Sequence, residues 1–584
     1  MRGFTLLIDG RSFTIPLPKE TDNLTLIQAV YLSGLVEPPS LCAGLGVCGR
    51  CRVHFLPADA PAPPPLPEDL EILSAELTEQ GWRLACKHRP FTGAKVELPP
   101  ETRLSWLPAM SSLEHRTTSA QQTRAQTRAR RALPARYHDL KDIGRQSENE
   151  FAPRAAAVPP TGEAPALAVD FGTTSLFFSI LEPVVDATPV PTPVADGIWV
   201  NPQMGAGAEV ISRLAFAASA DGRNRLAELS RAALRRMVQE AETRTGDGHS
   251  KQGTKEICLA ANTAMTYLLL GLDTSGLAVA PYRLDYAGGK YENLPQLPPL
   301  WIAPLLGPFI GGDLSAGYAA LTMADKPSEF PFLLADLGTN GEFILAISPH
   351  YALAASLPLG PALEGAGMRC GAEARPGTIT SFALSPDGLS PFSLPGAPSG
   401  AGISGSGYMS LISHMLRAGL LRPDGSFITE TQGSSPLLQK LLQGLHPPIR
   451  KTDGRVWRIM TCPSLYLAAA DVETMLKIKA AFSLALKSLL KAACLRFTDL
   501  RALYLAGSLG AHVRGADLET MGFIPARGGD KVRIAGNTAL TGAALLSRRH
   551  DLRPRLLRWT RGVHTLNLAD QADFLKAFTA EMHF

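Results

Sequence analysis

No stretch of this chain reaches the roughly 18 uninterrupted apolar residues that a membrane-spanning helix needs. No secretory leader is expected either: Met1-Arg2-Gly3-Phe4 runs into Asp9 before an apolar core can form. There is no excess of one charge. A formal net charge of +4 over 584 residues gives no footing for bulk nucleic-acid binding. These absences predict a cytoplasmic protein, in a compartment where thiols stay reduced and grouped cysteines bind metal more often than they pair. Cysteine itself is scarce, at eight residues. Cys258, Cys370, Cys462 and Cys494 stand alone and are expected to be small buried apolar residues. The other four are grouped.

The length suffices for several domains, and the character of the sequence changes along it. Residues 1–97 form one expected unit. Phe4–Asp9 and Phe13–Leu17 read as a hairpin about Gly10-Arg11, and Leu24–Leu35 as a short helix capped by Thr21 or Asp22. Arg52–Leu56 and Ala94–Leu98 read as strands, with a proline-rich loop from Pro57 to Pro67. Residues 98–163 differ. Arg116, Arg124, Arg128, Arg130, Arg131 and Arg136 lie in a segment without an acid from His115 to His138, and Ala155–Pro165 is rich in alanine and proline. This reads as a solvated linker that lets its flanking units swing, with a docking surface for an acidic partner as the competing reading. From 164 to 550 apolar strands alternate with helical stretches and glycine clusters, the pattern of an α/β fold, before a tail at 551–584.

Five residues separate Cys42 from Cys48, two separate Cys48 from Cys51, and 34 lie between Cys51 and Cys86. Three thiolates on one loop and one on a distant segment is the arrangement of a [2Fe–2S] centre. Gly44, Gly46 and Gly49 let backbone amides approach cluster sulfurs. The spacing does not match paired zinc knuckles, although a structural zinc site is the alternative.

A weak repeat lies within the α/β region. Pro165–Val169 leads into Asp170-Phe-Gly-Thr-Thr-Ser175, and Pro331–Ala335 into Asp336-Leu-Gly-Thr-Asn-Gly341-Glu342. The two aspartates are 166 residues apart, so 164–330 and 331–550 are expected to be two similar subdomains. Gly172 and Gly338 permit tight turns. Amides and hydroxyls of Thr173, Thr174 and Ser175, and of Thr339, Asn340 and Gly341, would cradle an anion. Asp170 and Asp336 at the strand ends can hold Mg²⁺ through water and are the expected catalytic pair. Facing each other, two such hairpins would clamp the β- and γ-phosphates of ATP. Gly405, Ser406 and Gly407 before an apolar helix, and Gly507-Ser508 after a strand, fit the same cleft. Close helix–strand packing is the competing reading for both turns.

Residues 1–97 resemble a plant- or adrenodoxin-type ferredoxin, which implies a β-grasp fold and one-electron transfer. The duplicated hairpins with the glycine turns resemble the actin, sugar kinase and chaperone ATPase (ASKHA) superfamily. Surrounding words narrow the likeness: Asn201-Pro-Gln203 with Glu209-Val-Ile-Ser-Arg213, Ala261-Asn-Thr-Ala-Met-Thr266, Gly360-Pro-Ala-Leu-Glu364, and Gly536-Asn-Thr-Ala539. These are similar to the reductive activators of corrinoid proteins, in which a ferredoxin precedes the ATPase unit. Ala261 stands where that pattern has glycine and Ser404 where it has cysteine. The resemblance implies ATP-dependent return of one electron to a corrinoid protein of a methyltransferase system, restoring Co(I) from Co(II). It also implies an upstream low-potential reductant and neither a nucleic-acid nor a membrane partner. A homodimer is compatible with it. The runner-up is an ATP-driven electron donor to another acceptor, as in dehydratase activators. A small-molecule kinase with a regulatory cluster is weaker, because no segment shows a base for a substrate hydroxyl.

Overall fold

The computed structural model describes residues 3–8, 10–17, 24–36, 49, 51–57, 61–99, 107–108, 165–181, 193–207, 209–245, 254–365, 367–385, 388–397, 399–428, 445–451, 454–459, 462–507, 512–570 and 573–584. Cys42, Cys48, Ser508 and the arginine-bearing segment 116–136 lie outside the described residues.

Gly10, at a φ of +72° that a side chain would resist, joins β1 (Gly3–Ile8) to β2 (Arg11–Pro16). With β3 (Arg52–Phe55), β4 (Trp82–Leu84) and β5 (Lys95–Glu97) these make a mixed sheet in the order β2-β1-β5-β3-β4. Helix α1 (Leu26–Leu32) packs on it, burying Leu26, Val30 and Tyr31 with Phe4, Leu6, Val53 and Val96. The helix begins later than the apolar spacing predicts. Thr25 and Gln28 form a capping box, the Thr25 amide donating to Gln28 Oε1 at 2.8 Å, and this local pair decides the start. Strand β4 and the short helices Pro67–Ile72 and Ala75–Glu79 go beyond the sequence reading; three to six residues carry no periodic signal.

The repeat becomes two sheets of one topology. After the edge strand β6 (Leu107–Pro108), β7 (Ala166–Phe171), β8 (Ser175–Leu181) and β9 (Pro193–Val200) form an antiparallel meander. Strands β10 (Ile257–Ala261) and β12 (Leu300–Ile302) extend it parallel to β7, with β11 (Lys290–Glu292) on the far edge. In the second sheet β13 (Phe332–Leu337), β14 (Asn340–Ser348) and β15 (Tyr351–Pro358) repeat the meander. Two small sheets follow: β16 (Thr378–Ser385) lies between β17 (Gly388–Ser393) and β18 (Gly402–Ile403), and β19 (Leu445–Lys451), β20 (Gly454–Ile459) and β21 (Cys462–Ala468) pair in order. Strands β22 (Ala502–Ala506) and β23 (Val532–Gly536) then extend the second large sheet parallel to β13, and β24 (Val563–Leu566) closes its other edge. Asp170 and Asp336 occupy equivalent ends of β7 and β13.

Alternation along these strands decides which face meets which helix. Leu167, Val169 and Leu259 face α2 (Ala220–Thr245) and α3 (Thr263–Leu270) in one core. Ala168, Cys258 and Ala260 face the opposite way, into a core shared with Phe332, Leu334 and Ile344 of the second sheet. Two helices fill that shared core, α4 (Gly312–Thr322) and, from the far end of the chain, one at Thr538–Arg548. They cross closely: a Cβ at Gly542 would sit 1.9 Å from the Ala316 carbonyl oxygen. Helices α5 (Gly405–Arg417) and α6 (Ala469–Ala492) cover the outer face of the second sheet. The helix at 538–548 is α7, and α8 (Leu552–Thr560) follows it. No helix among the described residues is long and apolar enough to cross a membrane.

A buried ion pair ties α8 to the first sheet. Glu256, only 1% exposed, accepts from Arg553 at 2.8 Å, Ser547 at 3.0 Å and the Tyr291 hydroxyl at 2.6 Å, and meets His550 at 3.0 Å. Burial alone would raise its carboxyl; the His550 hydrogen bond, the Arg553 charge and the Tyr291 hydroxyl hold it down at about 2. A depressed carboxylate stabilises the fold above its unfolded value near 4.5 and loses that contribution as pH falls toward 2. Glu256→Gln should therefore cost about 3 kcal/mol at neutral pH, leaving Arg553 buried without its counter-charge. The thermal midpoint should drop by roughly 6–12 °C, and the variant's deficit should shrink toward pH 3. A midpoint within about 2 °C of the parent at pH 7 would limit the ion pair to about 1 kcal/mol or less and overturn the estimate.

Candidate functional site

The two hairpins meet. Thr174 Oγ1 of the first and Thr339 Oγ1 of the second are 3.1 Å apart, although 165 positions separate them. Both hydroxyls donate to Glu364 Oε2, at 2.7 and 2.9 Å. Glu364 ends the short turn Pro361–Glu364, which follows the amides of Leu359 and Gly360 bonded to the Thr339 carbonyl. Asp170 and Asp336 stand behind this junction on their strand ends. They lie deep in the molecule yet keep some exposed surface, as do Asp313 and Glu364, as side chains lining a cleft do.

Carboxylates crowd this cleft. Burial, and then Asp313 and Glu364 nearby, raise Asp336 to about 7. Burial also pushes Asp170 well above the usual range, with a hydrogen bond from Asn537 opposing it and Asp313, Asp336 and Glu364 adding to it. Glu342, directly opposite Asp336 in the β-ladder, is likewise raised by burial and by Asp313 and Asp336, and its Oε2 has no hydrogen-bond partner. Asp313, in the first turn of α4, is raised by burial to about 6. Arg213 is the buried cation facing Glu364. Burial lowers it to about 9, Glu364 opposing the shift.

Three asparagines hold the first hairpin by one device. Asn201, Asn262 and Asn537 each accept from a main-chain amide at a helix or turn start, those of Gln203, Met265 and Leu540, at 2.9, 2.9 and 2.8 Å. Each then donates its Nδ2 to the site. Asn201 reaches the Gly172 carbonyl at 2.8 Å, Asn262 reaches Thr173 Oγ1 at 2.7 Å, and Asn537 reaches Asp170 Oδ2 at 2.8 Å. A carboxamide carries its acceptor and its donor on separate atoms that reach two partners at once; aspartate would cap equally well and lose the donor, and the shorter serine hydroxyl would have to serve both partners from one atom. Sequence reasoning marked these words but assigned them no role. The signal was asparagine at three cap positions where aspartate or serine would serve.

The glycine turns are placed differently from one another. A Cβ at Gly507, whose φ is +87°, would come within 2.9 Å of Asp336 Oδ1, so this turn borders the carboxylate. Gly405 abuts the Leu363 carbonyl at 2.3 Å from its ideal Cβ position, which lets the Glu364 turn approach. Ser406 donates to the Thr380 carbonyl at 3.0 Å, and Ser404 caps α5. Gly405, Ser406 and Gly407 thus back the site through close packing. Ser175 and Asn340 lie on the hairpins beside Gly172 and Gly338, their carbonyls accepting from those glycine amides at 3.1 Å each. Gly341 packs against Leu359.

In the N-terminal unit Cys51 and Cys86 are both buried, 2% and 6% exposed. They lie on adjoining segments, since the Ala85 amide donates to the Cys51 carbonyl at 2.9 Å. Gly49 turns the chain just before Cys51 at a φ of +65°.

Comparison with known proteins assigns this architecture. The family model of the RACo middle region matches residues 165–326, and that of the C-terminal domain of RACo, the ASKHA domain, matches 331–584. From 165 to the last residue only 327–330 are left unmatched. The chain belongs to the RACo family. Among curated relatives of this RACo chain, the corrinoid activation enzyme RamQ of Eubacterium limosum is 28% identical over 364 residues, 59% of this chain and 58% of that protein. The chain thus spans little more than half of that relative's length. A 93-residue stretch is 31% identical to a component of the Na(+)-translocating NADH-quinone reductase of Yersinia pestis, covering 16% of this chain and 21% of that one. The solved structure of a reductive activator for corrinoid, iron–sulfur protein shares the fold. It aligns with a TM-score of 0.61 at 20% identity, covering 100% of this chain and 98% of that one.

Proposed function

We propose that this chain is an ATP-dependent reductive activator, returning one electron to a corrinoid protein whose cobalt has slipped from Co(I) to inactive Co(II). The junction of Thr174, Thr339 and Glu364 carries this reading. A site shared by hairpins of two lobes can bind a polyphosphate tightly only when the lobes close, so nucleotide state becomes lobe geometry. Thr173, Thr174 and Ser175 on one side, and Thr339, Asn340 and Gly341 on the other, would supply amides and hydroxyls to phosphate oxygens, on turns that Gly172 and Gly338 make possible. Gly507, against the Asp336 carboxylate, and Ser508, the next residue in the sequence, are the proposed contacts toward the nucleoside, and Gly405–Gly407 hold Glu364 in place.

The residues present fit a nucleotide that arrives with Mg²⁺. Crowded carboxylates repel bare phosphate and resist ionisation here, so a divalent cation that neutralises both is favoured. Asp170 and Asp336 would hold it through water, beside phosphate oxygens.

Buried thiols on adjoining segments, a glycine turn before Cys51, and a helix packed on a sheet of order β2-β1-β5-β3-β4 suit a β-grasp ferredoxin. Cys42, Cys48, Cys51 and Cys86 are the proposed ligands. A [2Fe–2S] cluster bound there supplies single electrons at low potential, replenished by an upstream reductant. Anaerobically purified protein should contain two irons and two acid-labile sulfides per chain, and Cys48→Ser should lose most of the visible absorption. Stoichiometric zinc without sulfide would overturn the assignment.

A further inference from the structure

The N-terminal unit is seated on the first lobe, and its seat rests on the same residue that holds the first hairpin. Asn201 is fully buried; its side chain donates to the Gly172 carbonyl and its amide to the Thr174 carbonyl, both at 2.8 Å. It also caps the turn Pro202–Ala206. That turn is clamped to α2, Gln203 donating to Ser230 Oγ at 2.6 Å. Its outer side meets α1. A Cβ at Gly205 would lie 2.8 Å from Tyr31 Cβ and 3.0 Å from the Leu32 amide nitrogen. Leu32 enters the core of the first lobe, and Arg225 Nε donates to its carbonyl at 2.8 Å. The other end of α1 is pinned around Cys86: the Leu26 amide donates to the His88 carbonyl at 2.7 Å and the Ile27 amide to the Ala85 carbonyl at 3.1 Å.

An unbroken series of contacts therefore runs from the Gly172–Thr174 turn through Asn201 and the 202–206 turn to α1 and the Cys86 segment. We propose that Asn201 is a positioning residue that relays occupancy of the first hairpin to the seating of the N-terminal unit, so that nucleotide changes how firmly α1 is held on the first lobe. This rests on the nucleotide reading of the hairpins given above. The physical basis is that the Asn201 amide group bonds both the hairpin carbonyl and the turn, so neither moves without the other. Contiguity alone does not establish coupling; a nucleotide-dependent change at α1 does.

The test is hydrogen exchange of the amides of residues 26–33 in the full chain, with and without Mg²⁺ and a non-hydrolysable ATP analogue, with calorimetric binding measured on the same samples. The parent should show about a five-fold or larger change in exchange when nucleotide binds. Asn201→Asp keeps the acceptor that caps the turn and removes the donor to Gly172. It should still bind the analogue but show less than about a two-fold change at α1. Gly205→Ala crowds Tyr31 from outside the hairpin. It should raise exchange at 26–33 with or without nucleotide while leaving analogue affinity within about two-fold, which keeps the test open should the aspartate variant not fold. Binding of the analogue with no change at α1 in the parent overturns the relay alone. No binding of any nucleotide overturns the functional reading as well.

Discussion

Asp336→Ala is expected to lower ATP hydrolysis by at least about a hundredfold while the visible spectrum of the N-terminal unit stays unchanged. Asp336 closes β13 at the cleft, with Gly507 against its carboxylate and Asp313 and Glu364 near enough to raise it to about 7. A carboxyl raised by burial and by neighbouring carboxylates is relieved, and favoured in its ionised form, once a divalent cation enters. Alanine removes that anchor without opening a core, because Asp336 faces the cleft. Asp170→Ala should do the same for the first lobe, with one added effect. It orphans the Nδ2 of Asn537, which caps α7 and donates to Asp170 at 2.8 Å. The Asp170 variant should therefore lose some thermal stability that the Asp336 variant keeps. Phosphate release measured on both variants decides the matter. Hydrolysis within three-fold of the parent in both would mean that the phosphate clamp lies elsewhere, since the loss expected from either anchor is about a hundredfold.

What could be read from the residues beforehand follows from how local the physics is. The hairpins were legible because strand, glycine turn and strand are consecutive, and the repetition of Asp-x-Gly-Thr marked them twice. Glu364 was not, although its carboxylate joins Thr174 to Thr339, since nothing within its own segment points across a cleft. Asp313 and Glu342 were passed over too: Asp313 lies in the first turn of a helix, where an acid is ordinary, and Glu342 ends a quoted word. The three asparagines lay in words that drew notice, but their second hydrogen bond is tertiary. The start of α1 was misjudged because apolar spacing was weighed above the Thr25–Gln28 box. The largest difference concerns the N-terminal unit. A long spacer implies free swinging, yet the unit is held by Leu32, Tyr31 and Arg225, contacts that composition cannot reveal.

That seating bears on the second expected result: dithionite-reduced protein with ATP and Mg²⁺ should convert a Co(II) corrinoid protein to Co(I), and the same mixture without ATP should not. The reason is thermodynamic. For one electron each ~59 mV of unfavourable gap costs about 1.4 kcal/mol, so a gap of a few such steps slows or abolishes passive transfer by orders of magnitude. Work must enter through a change of shape, and the shared hairpin junction is where ATP can cause one. Cys48→Ser should yield no Co(I) for want of an electron. Asp336→Ala should also yield none, although its N-terminal unit still takes up the electron from dithionite. These two failures differ in kind, and mixing the two variants tests whether electron and drive must come from one chain. If the N-terminal unit acts from its seat on the first lobe, the mixture stays inactive. If units from separate chains can cooperate, activity returns in part. Shortening the segment 116–136 should slow the reaction by no more than about three-fold if that segment is a tether, because tether length enters effective concentration only weakly. A loss of partner affinity beyond tenfold would instead make its arginines a docking surface for an acidic partner. Equal Co(I) formation with and without ATP at the same potential would end the activator reading. The fold would then serve as a scaffold whose cleft has no part in the electron's path.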